Sequence, residues 1–181
     1  MVMGGFRPLL VLSLLLFSQN SLSYGQEDPD KQVILDICKH TDYPDTCFKI
    51  LSPDPRSKGR NFHELAELSI IINKEKGVQF LADISELQLT TTEVYAKRHL
   101  DSCYEYYDSG VVGRSSDSLD EFHAMNYHDA SFLLNDCITS VNECDNVYLH
   151  PPSRPNVLRP RNAEMIQHSE IAQSLVDYIT S

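Results

Sequence analysis

The chain has 181 residues and is acidic, with 15 Lys and Arg side chains against 26 Asp and Glu and a formal net charge of −11. A nucleic-acid-binding protein needs a basic surface, so this balance argues against that class and favours a cationic protein partner. The length suits one domain with its own core, which must be built from aliphatic, Tyr and Phe side chains because Trp is absent.

Residues 1–25 have the pattern of a secretory signal peptide. Arg7 supplies the positive charge, residues 9–17 form an apolar run, and small residues favour cleavage after residue 25, with cleavage after Ser23 as the second choice. The run is much shorter than the roughly 20 apolar residues of a transmembrane helix. We therefore expect a secreted protein without a membrane anchor, whose mature domain is residues 26–181 and whose disulfides persist.

Two cysteines delimit the first structured segment. Cys38 and Cys47 have eight residues between them, and the sequence Thr-Asp-Tyr-Pro at residues 41–44 breaks any helix that would join them. Pro44 suits the first turn of a new helix. We predict a small α-hairpin over residues 31–51, closed by a Cys38–Cys47 disulfide.

Four longer helices are predicted over residues 60–180. The first begins at Asn61, because Glu64 completes a capping-box pattern three residues later. Apolar side chains at three- and four-residue spacing then form one face, and this pattern extends to about Glu86.

The second helix is predicted to start at residues 90–93. Its apolar stripe runs over residues 96–107 and resumes at Leu119, Phe122 and Met125. Between the two parts, residues 109–116 are poor in helix formers, so we expect a kink or a break there.

The third and fourth helices follow a turn at residues 126–129. Residues 151–161 contain four prolines and three arginines and are expected to form a loop, after which Asn162 is predicted to cap the last helix. The inner face of the third helix repeats at 4-3-4-3-4 spacing. Its members are Ala130, Leu134, Cys137, Val141, Cys144 and Tyr148, and those of the last helix are Met165, Ala172, Leu175, Val176 and Ile179. The predicted fold is an all-α, up-down-up-down four-helix bundle with an N-terminal α-hairpin.

Three cysteines lie on the predicted bundle helices. Cys103 precedes the turn near residues 124–126 by about as many residues as Cys144 follows it, so the two face each other to within roughly one turn of an antiparallel hairpin. Cys137 lies seven residues from Cys144 on the same helix, roughly 10.5 Å along its axis, and cannot bond to it. The alternatives are Cys103–Cys144 and Cys103–Cys137. The spacing favours the first, which leaves Cys137 as a buried free thiol.

Two pairs of side chains could support catalysis or bind a metal. His63 and Glu67 share one helix face, as do His123 and Asp120. No HExxH, CxxC, GxSxG or phosphate-loop motif occurs. Solvated helix faces explain these pairs better, so we expect no enzymatic activity, no metal and no other cofactor.

Four segments carry a resemblance to a known family. They read Cys-Lys-His-Thr-Asp-Tyr-Pro-Asp-Thr-Cys at residues 38–47, Leu-Asp-Ser-Cys-Tyr-Glu-Tyr-Tyr at 100–107, Asn-Tyr-His-Asp-Ala-Ser-Phe-Leu-Leu at 126–134 and Glu-Cys-Asp-Asn-Val-Tyr at 143–148. Their order and spacing resemble the plant invertase and pectin methylesterase inhibitor family over about residues 31–180.

The resemblance implies a function as well as a fold. The family has an α-hairpin packed on a four-helix bundle, with bridges matching Cys38–Cys47 and Cys103–Cys144. Its members are cell-wall proteins that block the active-site cleft of one of two glycan-processing enzymes and do no chemistry themselves. A Pro-Lys-Phe tripeptide associated with invertase inhibitors is absent. We therefore expect a one-to-one complex with pectin methylesterase in preference to acid invertase, in the plant apoplast or cell wall, with the vacuole as the other compartment. The alternative is a non-inhibitory extracellular helical binding or signalling module.

An inhibitory surface is expected on the hairpin of the second and third bundle helices, because a disulfide there lowers the ordering cost of binding. Its carboxylates would attract a basic enzyme more strongly at low salt, and His123 and His128 beside the turn would make binding vary with pH. Plain solvation is the competing explanation for each of these side chains. The candidate contact residues are Asp117, Asp120, Glu121, Glu143 and Asn146.

Overall fold

A computed structural model describes residues 28–180, so the predicted signal peptide lies outside the described residues. Within that range the chain forms helices and no strands. The seven α-helices are α1 (Pro29–Cys38), α2 (Pro44–Leu51), α3 (Phe62–Thr90), α4 (Val94–Glu105), α5 (Arg114–His123), α6 (Tyr127–Val147) and α7 (Arg159–Tyr178), with a π-helical segment at Tyr106–Gly113 and a 3₁₀ turn at Pro55–Ser57. Because the π-helical segment joins α4 to α5, four long helical units form the bundle. The predicted all-α fold with an N-terminal α-hairpin is confirmed, and none of the helices between residues 28 and 180 could cross a bilayer.

The N-terminal hairpin of α1 and α2 extends one end of the core. Both helices have Pro in their first turn, and a Cys38–Cys47 disulfide joins them with a Cα–Cα distance of 5.6 Å. Ile37 is fully buried there. On the outside, the His40 ring stacks on Tyr178 of α7 at a centroid distance of 3.6 Å. The hairpin is therefore fixed to the bundle by apolar burial and ring stacking.

The start of α3 follows the prediction and its end does not. The Asn61 side chain accepts a hydrogen bond from the Glu64 amide, and the Glu64 carboxylate accepts one from the Asn61 amide, so the capping box is confirmed. The helix continues to Thr90 rather than ending near Glu86. Leu87 packs on the core in this last turn, and burial thus extends the helix beyond the pattern visible in the sequence.

Buried polar side chains lie between two apolar clusters of the core. The Ser169 hydroxyl donates to Asn73 Oδ1 over 3.1 Å, and Asn73 Nδ2 donates to Ser115 Oγ over 3.0 Å. Ser115 in turn donates to the Val111 carbonyl over 2.7 Å. The network joins α3, α5 and α7. Since an unpaired polar group in this layer would lose a hydrogen bond without water to replace it, the network holds the three helices in one register.

The kink or break predicted at residues 109–116 takes the form of a π-helical irregularity at Tyr106–Gly113, and the chain does not break there. The chain stays helical through this stretch, with the π-helical segment passing directly into α5. Two glycines explain this. A Cβ at Gly110 would lie 2.5 Å from Ser140 Cβ on α6, and one at Gly77 would lie 2.9 Å from Val111 Cγ1. The segment therefore packs closely against both α3 and α6, and this packing outweighs its weak helix propensity.

We expect Gly110→Ala to lower the free energy of unfolding by about 2 kcal/mol, because overpacking exceeds the roughly 0.5–1 kcal/mol gained by removing a helical glycine. Gly113→Ala is the matched control, since its Cβ would have its nearest contact at 3.5 Å from the Asp108 carbonyl oxygen. Urea unfolding of both variants measures the difference. Equal stability of the two would contradict the close approach, and the double variant Gly110→Ala/Ser140→Gly should recover part of the loss.

Two predicted residues lie elsewhere than expected. Met125 was predicted on the inner stripe but is 73% exposed, because α5 ends at His123 and the chain turns at Met125. Asn162 does not cap the last helix, since α7 begins at Arg159 with Pro160 in its first turn, where proline is favoured. Asn162 is instead buried. Met165, Ala172, Leu175 and Val176 form the predicted inner face, whereas Ile179 at the helix end is half-buried.

Buried Asn162 joins three helices. It accepts a hydrogen bond from the Tyr107 hydroxyl over 2.8 Å and donates to Asp145 Oδ1 over 2.6 Å. Burial is the main cause of a raised pKa at Tyr107, so that hydroxyl stays protonated as a donor. Asn156 also donates to Asp145 over 2.6 Å, which anchors the Pro-rich loop before α7.

Candidate partner interface

A disulfide stiffens the hairpin that carries the predicted contact residues. We call residues 94–147, which comprise α4, the π-helical segment, α5 and α6, the bridged hairpin. Cys103 and Cys144 are bonded within it, with a Cα–Cα distance of 4.7 Å, and both are fully buried. Near the turn, the Ser118 hydroxyl donates to the Ala130 carbonyl over 2.9 Å. The two long arms are thus held together at both ends.

The five predicted contact residues do not form one patch. Asp117 and Asp120 are exposed near the turn, and Glu121 beside them is half-buried and accepts a hydrogen bond from Asn126 Nδ2 over 2.8 Å. Glu143 and Asn146 are exposed at the other end, next to the disulfide. Since Ser118 lies opposite Ala130 and Glu143 is 13 residues farther along α6, the two groups are about 20 Å apart along the hairpin.

The outer face of α6 connects these two groups. Counted from Asp129 as residue i, this face comprises positions i, i+3, i+7, i+10 and i+14. It lies opposite the buried seam that contains Leu134 and Val141. Arg114 reaches this face from α5, with Nη1 3.3 Å from Asp117 Oδ2 and Nε 3.9 Å from Asp136 Oδ2. The members of the face are Asp129, Phe132, Asp136, Thr139 and Glu143. Only Glu143 among them is a predicted contact residue, although the positions opposite the inner seam of α6 predict the other four as well.

The bridged hairpin concentrates negative charge. Between residues 105 and 136 there are seven carboxylates and one basic residue, Arg114. Such an excess creates a negative field that attracts cationic surfaces and weakens as salt is added. The carboxylates are Glu105, Asp108, Asp117, Asp120, Glu121, Asp129 and Asp136.

The histidines near the turn make contacts between helices. His123 Nε2 lies 2.8 Å from Glu67 Oε1 on α3, and His63 Nε2 lies 3.0 Å from the Tyr127 hydroxyl on α6. His128 is different, because its side chain is 95% exposed. Of the two same-face pairs predicted from the sequence, His63 with Glu67 and His123 with Asp120, both histidines and Glu67 thus contact side chains on other helices. In the described part of the chain no three His, Cys, Asp or Glu side chains are placed to hold a metal ion.

Cys137 is a buried thiol in the middle of α6. Its Sγ lies 3.4 Å from the Leu133 carbonyl oxygen and 3.6 Å from Ser115 Oγ. Burial raises the pKa of the Cys137 thiol to about 12, although the Ser115 hydroxyl opposes the shift. The thiol is therefore protonated at neutral and acidic pH, and this position lacks the electropositive, accessible surroundings of a reactive cysteine.

We expect the oxidised native chain to react with no equivalent of a thiol reagent such as DTNB, and with one equivalent once it is unfolded in denaturant. The reason is that Cys137 is the free cysteine among the described residues and is buried. Absorbance at the two conditions measures the thiol count. Rapid modification of the folded chain would contradict the burial of Cys137, and Cys137→Ala supplies the control.

Comparisons with known proteins agree with this architecture. The chain matches the sequence model of the plant invertase/pectin methylesterase inhibitor family over residues 32–175. A pectinesterase inhibitor from Actinidia deliciosa is 22% identical over 138 residues, which cover 75% of this chain and 73% of the relative.

Two solved structures share the fold. The crystal structure of mutant form A of a pectin methylesterase inhibitor from Arabidopsis superposes with a TM-score of 0.65 and 16% identity, covering 78% of this chain and 93% of the other. A pectin methylesterase inhibitor from Arabidopsis thaliana gives a TM-score of 0.58 and 15% identity, with coverage of 80% and 93%. Because the family match spans most of the chain, the protein belongs to the plant invertase/pectin methylesterase inhibitor family.

Proposed function

We propose that this protein is a secreted inhibitor that binds a plant pectin methylesterase and blocks its active-site cleft in a one-to-one complex. The observation that carries the proposal is the family match over residues 32–175, together with a pectinesterase inhibitor among its relatives. The absent Pro-Lys-Phe tripeptide favours pectin methylesterase over acid invertase. The apoplast or cell wall is the compartment that this function requires.

The bridged hairpin is the proposed inhibitory surface. Its Cys103–Cys144 disulfide presents a preformed face, so little conformational entropy is lost on binding. Its seven carboxylates between residues 105 and 136 suit a target with Lys and Arg around the cleft. The predicted contacts Asp117, Asp120, Glu121, Glu143 and Asn146 are part of this proposal.

The first experiment is a titration of the oxidised mature chain, residues 26–181, into a plant pectin methylesterase and, separately, an acid invertase at about pH 5–6. We expect pectin methylesterase activity to fall linearly to zero at one equivalent and invertase activity to stay unchanged. Loss of invertase activity alone would reverse the preference. If neither enzyme is inhibited, the inhibitor proposal is wrong and the non-inhibitory extracellular module replaces it.

Charge-neutral variants test the surface. Asp120→Asn/Glu143→Gln removes two exposed charges from the bridged hairpin, and we expect it to raise Ki roughly three- to tenfold at low salt. Asp42→Asn/Glu86→Gln also removes two exposed negative charges, but at positions outside the bridged hairpin, and should leave Ki unchanged. Equal Ki values for both double variants, or a Ki that is independent of salt, would contradict an electrostatic role for the hairpin.

Substitutions of His123 and His128 test whether these side chains make inhibition depend on pH. His128→Gln removes an exposed side chain at the turn, whereas His123→Gln also removes the contact with Glu67. If protonation at the turn controls binding, His128→Gln should flatten the dependence of Ki on pH. An unchanged pH profile in the double variant would rule the hypothesis out.

The secretory leader is tested by expressing residues 1–181 in plant cells. We expect the protein in the extracellular fluid to begin at Gln26, as read by N-terminal sequencing, with Tyr24 as the second choice of first residue. An uncleaved chain retained inside the cell would contradict the proposed compartment.

A further inference from the structure

The tip of the bridged hairpin has an unusual backbone. Met125 has a φ of 62°, the one positive φ at a non-glycine residue between residues 28 and 180. Met125 lies just after the end of α5. The Asn126 amide donates to the Glu121 carbonyl over 2.9 Å, and the Met125 amide donates to the Phe122 carbonyl over 3.0 Å. These two bonds form a Schellman motif, in which the left-handed residue is usually glycine.

The Met125 side chain does not offset this backbone conformation by burial. It is 73% exposed, so little of its apolar surface is removed from water. A left-handed conformation is unfavourable for a residue with a Cβ, and such residues cluster at binding sites. The fold alone would thus favour glycine at this corner.

A second exposed apolar side chain lies on the adjoining helix. Phe132, in the second turn of α6, is 59% exposed. It stands on the outer face of α6 between Asp129 and Asp136, which are three residues before it and four after it. Aromatic side chains, Phe among them, are enriched at the cores of protein interfaces, where polar residues form the rim.

The surroundings of both side chains are acidic. Met125 borders a shallow depression of about 430 Å³ that is also lined by the carboxylates of Asp129 and Asp177 and by the imidazole of His128. Arg114 on α5 lies within 4 Å of both Asp117 and Asp136, so its positive charge is already paired with carboxylates of this face. A partner that covers these two apolar side chains must therefore place positive charge around them.

We propose that Met125 and Phe132 are the apolar anchors of the bridged hairpin, and that they insert into apolar pockets edged by Lys and Arg on the surface of the target enzyme. This inference rests on the proposed function and adds the contacts that supply most of the binding energy. The surrounding carboxylates steer the approach, and burial of the two anchors slows dissociation.

The two anchors lie near the acidic turn of the bridged hairpin, whereas the most exposed apolar side chain of the described residues lies elsewhere. Leu89, which is 87% exposed, lies at the C-terminal end of α3. Arg98 and Arg154 lie near that end, each against the Tyr95 ring at the start of α4. Leu89 therefore provides a control that is equally apolar but differently charged.

The test compares Met125→Gly, Phe132→Ala and Leu89→Ala with the wild-type mature chain, by thermal unfolding and by Ki against a pectin methylesterase that the wild type inhibits. Met125→Gly is expected to raise Tm by roughly 2–4 °C while raising Ki about tenfold, so that stability and inhibition change in opposite directions. Phe132→Ala should keep Tm within about 2 °C and raise Ki at least tenfold. Leu89→Ala should change neither value.

The outcomes separate this inference from the proposed function. If the wild type inhibits the enzyme and both Met125→Gly and Phe132→Ala inhibit it as well as the wild type does, the assignment of Met125 and Phe132 as anchors is wrong. The proposed inhibitor function then stands. If Leu89→Ala weakens inhibition as much as they do, the assignment to the hairpin tip is also wrong. A wild-type chain that inhibits no pectin methylesterase overturns the proposed function and this inference with it.

Discussion

Replacing Cys103 and Cys144 together by Ala is expected to lower the free energy of unfolding by about 4 kcal/mol. The bond closes a loop with a sequence separation of 41, and loop closure removes more entropy from the unfolded chain as the loop lengthens. A small domain has only about 5–15 kcal/mol of stability, so this loss is large. For a domain of this size it corresponds to a fall in Tm of roughly 10 °C. Urea and thermal unfolding of the oxidised chains measure both quantities.

The matched comparison is the Cys38→Ala/Cys47→Ala variant. That bridge has a sequence separation of 9, and the same loop argument gives about 3 kcal/mol. Because it lies in the N-terminal hairpin, its loss should leave the bridged hairpin intact and change Ki less than loss of Cys103–Cys144. Equal inhibition by the two variants would contradict the idea that a stiffened bridged hairpin lowers the ordering cost of binding.

Acidification is expected to destabilise the protein through one buried histidine. His168 on α7 is only 8% exposed. Burial, assisted by the nearby Lys76 ammonium and opposed by the Glu164 carboxylate, lowers the pKa of His168 from 6.5 to about 4. Lys76 and Glu164 form an ion pair of 2.8 Å.

The direction of the pH effect on stability follows from the number of protons that the folded and unfolded chains bind. Above pH 6.5 the imidazole is neutral in both states, but between pH 6.5 and 4 the unfolded chain binds a proton that the folded chain does not. The free energy of unfolding therefore falls with falling pH, by about 2 kcal/mol at pH 5 and about 3 kcal/mol once the pH is below the folded pKa. In any compartment at about pH 5–6, part of this loss is already present.

Urea unfolding at several pH values between 4 and 7 tests this contribution. His168→Gln should remove about 2 kcal/mol of the change in unfolding free energy between pH 7 and 5, whatever its effect at pH 7. His128→Gln is the control, since burial does not act on a side chain that is 95% exposed. Identical pH dependence of the wild type and His168→Gln would show that His168 is not held neutral in the folded protein.

Local signals in the sequence were sufficient for the starts of α2 and α3 and for the general fold. The Asn61–Glu64 capping box is formed by residues three positions apart, and Pro44 begins α2 through its own fixed φ. The spacing of Cys103 and Cys144 about the turn likewise favoured the observed pair, since helical rise converts residue number into distance. The acidic character of the hairpin was also visible, through Asp117 and Asp120.

The remaining features depend on groups that are distant in sequence. Residues 109–116 remain helical because Gly110 meets Ser140 on another helix, and Asn162 is buried because Tyr107 and Asp145 satisfy its amide. Helical periodicity places Phe132 on the outer face between Asp129 and Asp136, but only the packing of the helices shows that no other helix between residues 28 and 180 covers it. Helix propensity and capping act within a few residues, whereas burial, close backbone approach and hydrogen bonds between helices arise only when the chain has folded and brought those surfaces together.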